Sequence, residues 1–195
     1  MRTLKTKRRT TATLAVIIGL TLAFGSIASA ETASVAVSAG SLSVTAANVT
    51  LGAVTLDGTD QASTSASGSN SWSAADATGS GAGWNLTIDS TDFTGGTPLR
   101  TVDISVADQQ FKIQLLDANI TVTAGNTKPT SSVTSLTAIP TSPATALKFA
   151  SAATSAGMGS YAISPNFELA LPAEIFVPST GSYTATITVT AVSAP

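Results

Sequence analysis

The sequence predicts an all-β protein, folded as a single β-sandwich or Greek-key barrel domain over residues 31–195. Three observations support this class: Thr, Ser, Val and Gly dominate after residue 30, apolar residues recur at every second position, and Gly- and Pro-containing turns separate the runs. Alternation with a period of two is typical of half-buried strands, and several short strands separated by turns are typical of a sandwich or barrel. No internal repeat of fixed period is visible, so we expect one domain.

The first 30 residues have the pattern of a secretory signal peptide. Five basic residues precede an apolar run from Leu14 to Ile27, which closes on the small residues Ala28-Ser29-Ala30. This arrangement is typical of a cleaved signal rather than of a membrane span, for which the run is short. The remaining residues, 31–195, include four basic and eleven acidic ones, a net charge of −7. We therefore expect an acidic, secreted protein without a membrane anchor.

The residues that follow the signal predict strands and one long loop. Residues 34–44 are expected to form a strand, a turn and a strand, and residues 48–56 continue the alternation into a turn at residues 57–60. Residues 61–82 are small, polar and Gly-rich, which predicts a surface loop with one short strand around Trp72. Residues 83–90 predict a strand with Trp84, Leu86 and Ile88 on one face and Asn85, Thr87 and Asp89 on the other.

The second half of the chain continues in the same way. Alternation around Phe111, Ile113 and Leu115 predicts a strand, and residues 123–145 predict a second long loop. Residues 150–159 are Ala- and Gly-rich and are expected to form a small helix or an irregular turn. Residues 167–171 and 174–177 have strand composition, interrupted at Pro172 and Pro178. Residues 183–192 predict a final strand with a ladder of Thr side chains on its solvent face.

The composition excludes several functional classes. The chain has no Cys and no His, which removes thiol nucleophiles, imidazole bases and ordinary zinc sites. Only 10% of the residues are charged, too few for a nucleic-acid binder that must neutralise phosphates. A hydrolase would depend on carboxylates, and no spacing of acidic residues identifies an acid–base pair. We expect no catalytic residue, no metal and no cofactor.

Two segments resemble a known family. Residues 76–86 (DATGSGAGWNL) resemble the D-x-x-G-x-G-x-G-W-x-L segment of the WxL domain, which occurs on surface proteins of Gram-positive bacteria. Residues 183–195 (YTATITVTAVSAP) resemble the closing Y-x-A-T-L-T-W-x-L-x-x-x-P of that family, with Val189 in place of Trp and Ala191 in place of Leu. The resemblance covers about residues 31–195 and identifies a divergent member with an altered second motif.

The resemblance implies a function and a set of partners. It implies non-covalent attachment to peptidoglycan or another cell-wall polymer, and assembly with other surface proteins. Residues predicted to bind the wall or a partner are Trp72, Trp84, Asn85, Leu86 and Tyr183, because aromatic rings stack on sugars and amides bind hydroxyls. Trp84 and Tyr183 also lie on the apolar side of their predicted strands, as core residues do. Trp72 is either an exposed contact in a polar loop or a ring folded back over the sheet edge.

Three functional hypotheses follow. The leading one is a secreted, non-catalytic protein that binds the cell wall and serves in surface protein assembly. The alternative is a structural subunit of an extracellular fibre or adhesive layer, held together by strand exchange at open sheet edges. The third is a glycan hydrolase or lyase that depends on carboxylates. Support for it would require activity on wall fragments, and a single Asp or Glu substitution would have to abolish that activity.

Overall fold

The computed structural model describes residues 32–95, 100–102, 110–141, 143–178 and 180–193. The predicted signal peptide lies outside these residues. The chain divides into two units, residues 1–36 and residues 37–195, and the strands that the structure describes belong to the second unit. Strands dominate the described residues, which otherwise include two short 3-10 helices at Asp117–Asn119 and Pro143–Thr145, so the all-β prediction is confirmed. Among the residues described, no helix is long and apolar enough to cross a bilayer.

The described strands form three four-stranded sheets and one two-stranded ribbon. In chain order the strands are β1 (Leu42–Thr45), β2 (Gln61–Thr64), β3 (Trp72–Asp76), β4 (Trp84–Ser90), β5 (Phe93–Gly95), β6 (Arg100–Val102), β7 (Phe111–Gln114), β8 (Ile120–Gly125), β9 (Thr130–Ser131), β10 (Thr137–Ala138), β11 (Leu147–Ala152), β12 (Gly159–Ile163), β13 (Asn166–Leu171) and β14 (Ile187–Ser193). The first sheet has the order β1-β3-β12-β8, the second β10-β7-β13-β2 and the third β14-β4-β11-β9, while β5 pairs with β6. Every pairing is antiparallel.

One hydrophobic core joins the three sheets. Trp72 on the first sheet contacts Phe149 of the third sheet, with ring centroids 6.0 Å apart, and Phe167 of the second sheet at 5.5 Å. Phe167 in turn stacks on Phe111 at 5.6 Å. Such ring pairs add stabilisation beyond the apolar area that they bury. The described sheets therefore pack around one continuous core, as in a sandwich.

Two segments differ from the sequence prediction in their local structure. Residues 61–64, predicted as loop, form β2. Within residues 150–159, predicted as a small helix or an irregular turn, residues 153–158 form the irregular turn, whereas β11 continues to Ala152 and β12 begins at Gly159. The small residues at the start of this segment pack in the core and do not form a helix. Ala150 and Ala152 are buried and pair with Leu86 and Trp84 in the third sheet.

Other boundaries also differ. Residues 32–41 and 174–177 form no strand, and residues 48–56 make only a single β-bridge, between Leu51 and Ser65. The predicted loop at residues 123–145 contains the end of β8 and the two-residue strands β9 and β10. The last strand begins at Ile187 rather than near residue 183. The short strand around Trp72, the strand of residues 83–90 and the strand of residues 167–171 are confirmed.

Candidate functional site

Strand β4 carries the Trp-x-Leu sequence and lies between β14 and β11 in the third sheet. Its side chains alternate strictly: Trp84 and Leu86 are fully buried, whereas Asn85 between them lies on the opposite face and is half-buried. This alternation follows from the pleat of a strand, in which successive side chains point to opposite faces. The motif therefore places two anchors in the core and one polar side chain on the outer face.

The indole of Trp84 fixes a neighbouring loop. Its Nε1–H donates a hydrogen bond of 2.9 Å to the backbone oxygen of Gly157. The backbone N–H of Gly157 donates to Thr127, 2.9 Å away. A Cβ at Gly157, whose φ is +73°, would lie 2.7 Å from the Trp84 Nε1, so only glycine allows this approach. Trp84 thus joins β4 to the turn between β11 and β12.

The segment that leads into β4 is a hydrogen-bonded turn. Asp76 is buried at the end of β3, and its Oδ1 accepts hydrogen bonds from the Thr78 backbone N–H (2.9 Å) and hydroxyl (2.7 Å). Gly83 has a φ of +83°, and a Cβ there would lie 2.5 Å from the backbone oxygen of Ala152. Asp76 and Gly83 therefore have structural reasons to be present, because Asp76 stabilises the turn that follows β3 and Gly83 lets the chain pass closely against β11.

Tyr161 packs beside Trp84 under this turn. The ring centroids are 6.2 Å apart, and the Tyr161 hydroxyl donates a hydrogen bond of 2.9 Å to the backbone oxygen of Met158. Burial, and secondarily the negative charge of Asp76, raise the pKa of the Tyr161 hydroxyl above its ordinary value. Both effects disfavour the phenolate.

The second motif lies directly beside the first. In the antiparallel register of β14 and β4, Val189 pairs with Ile88 and Ala191 pairs with Leu86. Val189 and Ala191 are half-buried on the core side, while Thr188 and Thr190 are exposed. The residues that depart from the family pattern therefore face the core, and the exposed side of β14 keeps its Thr ladder.

The outer surface of the third sheet, here called the polar face, is composed mainly of polar residues and includes one exposed valine beside Asn85: Asn85, Thr87, Asp89, Lys148, Ser151, Thr188, Thr190 and Val192. Thr190 and Lys148 pair with Thr87 from opposite sides, and Thr188 pairs with Asp89. A β-bulge at Phe149 keeps Lys148 on the outer side and buries Phe149. Hydroxyl, amide, carboxylate and ammonium groups thus lie on one sheet surface, which can donate and accept hydrogen bonds.

The structure places the other two predicted site residues elsewhere. Trp72 is 2% exposed, and its Nε1–H donates a hydrogen bond of 2.9 Å to the backbone oxygen of Ala47. The ring is folded into the core, as in the second interpretation of that residue. Tyr183 is half-buried, and its hydroxyl donates to the backbone oxygen of Phe176 (2.8 Å). The five predicted residues therefore do not form one surface.

Tyr183 lines a cavity of about 600 Å³, here called the apolar groove. Its lining includes Val49, Leu51, Phe93, Leu171, Val177 and Tyr183. The residues come from segments between residues 49 and 187, which is why no single sequence motif indicates the groove. The lining also contains uncharged hydroxyl residues (Thr50, Ser63, Ser182 and Thr184), so the groove is suited to an apolar side chain or an extended peptide rather than to a charged ligand.

The exposed acidic turn at residues 57–60 closes on itself. The Oδ1 of Asp57 accepts hydrogen bonds from the Thr59 hydroxyl (2.7 Å) and backbone N–H (3.0 Å). The Thr59 hydroxyl, followed by the Thr59 backbone, holds the pKa of Asp57 below its ordinary value. Within the described ranges, no three metal-ligating side chains come together.

The chain matches a known protein family over nearly its whole length. A family model described as "WxL domain surface cell wall-binding" matches residues 5–195. No curated protein and no solved structure matches the chain.

Proposed function

Because this chain belongs to the WxL domain family of surface cell wall-binding domains, we propose that it binds peptidoglycan non-covalently through its polar face. A place at the cell surface or wall and a wall polymer as ligand follow from the family. The choice of peptidoglycan, the polar face as the contact and a non-catalytic role are the proposal. A role in assembly with other surface proteins remains a prediction from the same resemblance.

The observation that carries the proposal is the chemistry of the polar face. Its exposed Thr188 and Thr190 hydroxyls stand beside Thr87 and Asp89 of the motif strand. Sugar hydroxyl and acetamido groups are neutral donors and acceptors, and such a surface satisfies them without a charged partner. One hydrogen bond contributes only about 1 kcal/mol net, but a repeating polymer offers many sites.

The motif residues have distinct proposed roles. Asn85 lies on the polar face and is the proposed contact of the motif, whereas Trp84 and Leu86 hold its strand in place from the core. Trp72 supports the core in the same way. Tyr183 lines the apolar groove rather than the polar face. Its proposed contact is therefore with a different partner from the one that Asn85 contacts.

The proposal includes removal of residues 1–30 during export. The support is the basic start, the apolar run and the small residues at positions 28 and 30. Expression in a Gram-positive host and mass spectrometry of the exported protein measure this directly. We expect an intact mass that corresponds to a chain beginning at Glu31, and a chain that retains residue 1 would contradict the proposal.

Co-sedimentation with purified sacculi tests the binding site. The exported protein is mixed with sacculi stripped of protein and teichoic acid, and the bound fraction is measured by pelleting. The Thr188→Ala/Thr190→Ala variant is expected to bind on the order of tenfold more weakly, because two exposed hydroxyls are lost from the polar face. Circular dichroism checks that the variant is folded.

The matched control is Thr121→Ala/Thr123→Ala on β8. These two Thr side chains are also exposed and two residues apart on a strand, but they lie in the first sheet. Binding by the control is expected to equal that of the parent chain. If both pairs of substitutions weaken binding equally, the contact does not lie on the polar face. A parent chain that stays in the supernatant would overturn peptidoglycan binding itself.

A further inference from the structure

The apolar groove has an exposed rim. Val177 lines the groove and is 74% exposed, and the adjacent Phe176 is 62% exposed. Leu171 and Tyr183, also in the lining, are half-buried. Contiguous exposed apolar surface of this kind is unfavourable in water and marks an interaction site.

The same chain carries an exposed apolar segment of complementary form. Residues 32–39 are exposed and belong to no strand. Within them, Val35 and Val37 are 85% and 87% exposed and alternate with Ser34, Ala36 and Ser38. This period of two places both valines on one side of the segment whenever it is extended, which is the pattern of a strand that lacks a partner.

The segment and the groove are attached to opposite ends of β1. The chain enters β1 at Gly40, whose N–H donates a hydrogen bond of 2.8 Å to the backbone oxygen of Ala77. It leaves β1 at Thr45 and reaches the groove lining at Val49. A strand rises about 3.3 Å per residue, so roughly 17 Å separates the two ends of residues 40–45. An apolar segment and an apolar groove that differ in form and belong to the same chain allow contact between copies.

We propose that residues 34–38 of one copy add as an extended strand to the apolar groove of the next copy. Val35 and Val37 then face the groove lining, and the alternating Ser and Ala side chains face outward. Because the two surfaces differ, the contact is head-to-tail and builds open chains rather than closed dimers. This assembly is independent of the polar face and does not rest on wall binding.

Sedimentation velocity over a range of concentrations tests the proposal on the exported protein, with its N-terminus verified by mass. The parent chain is expected to form dimers and longer species as concentration rises. Val35→Asp/Val37→Asp is expected to weaken self-association at least tenfold, because two buried apolar contacts become charged. The matched control Ser34→Asp/Ser38→Asp adds the same charge on the outward side of the segment and is expected to assemble like the parent.

The groove is tested with Val177→Asp, whose control is Val192→Asp. Both side chains are exposed, so neither substitution is expected to disturb folding, but only Val177 lies in the groove. Val177→Asp is expected to weaken self-association at least tenfold, as the valine pair does. When the two defective proteins are mixed, one supplies the segment and the other the groove, and a 1:1 heterodimer that does not extend is expected.

Three outcomes would overturn the proposal. A parent chain that stays monomeric at all concentrations would show that the segment does not join copies. Assembly that survives either defective variant, or that the Ser control abolishes equally, would place the contact elsewhere. A mixture that yields no heterodimer would contradict head-to-tail addition. Sacculus pelleting of the same variants keeps this test separate from wall binding, which is expected to be unaffected by Val35→Asp/Val37→Asp.

Discussion

At Trp84 one side chain serves both packing and hydrogen bonding. The ring is buried against Tyr161, and its N–H satisfies the buried backbone oxygen of Gly157. Trp84→Phe keeps much of the ring but leaves that oxygen without its donor and opens space in the core. We expect the free energy of unfolding to fall by about 2–4 kcal/mol, measured by urea denaturation.

Tyr183→Phe is the control for this prediction. It also removes one hydrogen bond from an aromatic side chain to a backbone oxygen, but Phe176, the acceptor, lies in an exposed segment where water replaces the donor. The loss there is expected to be below about 1 kcal/mol. A loss as large as that of Trp84→Phe would contradict the importance of burial at Gly157.

Tyr161 gives the fold a dependence on alkaline pH. Its pKa is raised by burial and by Asp76, so the folded protein holds the phenolic proton more tightly than the unfolded chain. This contribution to stability is fully present below pH 10, the ordinary pKa, and is lost as pH rises through the raised pKa of the folded state. We expect the Tm to fall as the pH rises above about 10, towards and through the raised pKa of Tyr161.

The same measurement on Tyr161→Phe isolates the residue. This variant starts from a lower Tm, because the hydrogen bond to Met158 is lost, but it has no phenol to ionise at this position. The slope of its Tm against pH is expected to be shallower than that of the parent. Identical slopes would assign the alkaline transition to other groups.

Among the elements, β4 is central to the third sheet and to the core. It is paired on both sides, and its core face consists of Trp84, Leu86 and Ile88, all fully buried. Leu86→Ala is expected to cost about 2–5 kcal/mol of unfolding free energy, because the strand on either side limits relaxation around the cavity. Leu116→Ala, at an exposed loop position, is expected to change stability by less than about 0.5 kcal/mol in the same denaturation experiment.

The elements also show why some strands are predictable and others are not. The alternation in β4 contains large apolar residues that mark the core face unambiguously, and its two faces were predicted correctly. Residues 61–64 contain no large apolar side chain, yet they form β2, because they pair with β13, which lies more than 100 residues further along the chain. A strand partner so distant in the chain cannot be predicted from the local sequence. Residues 150–152 likewise form the end of a strand because Leu86, Asn85 and Trp84 of β4 pair with them, a partner that their own small side chains do not indicate.

On the scale of the whole molecule, the polar face depends on three strands that are distant in sequence. The alternation predicted that Asn85 and the Thr ladder each face outward, but the register that sets Thr190 and Lys148 on either side of Thr87 exists only in the folded sheet. The sequence likewise left Trp72 undecided between an exposed and a folded-back ring. Its position is determined by Phe149 and Phe167, which come from the other two sheets.

The composition of the polar face predicts how wall binding responds to salt. Lys148 and Asp89 carry opposite charges, and the other members are neutral. Raising the ionic strength from about 0.1 M to 1 M shortens the screening length from about 10 Å to 3 Å, which weakens exposed charge pairs and leaves neutral hydrogen bonds largely unaffected. The affinity for sacculi is therefore expected to change by less than about threefold over this range, measured by co-sedimentation at each salt concentration. A loss of tenfold or more would mean that charges dominate the contact, because only screened interactions respond so strongly, and it would contradict binding through the neutral hydrogen-bonding groups of the polar face.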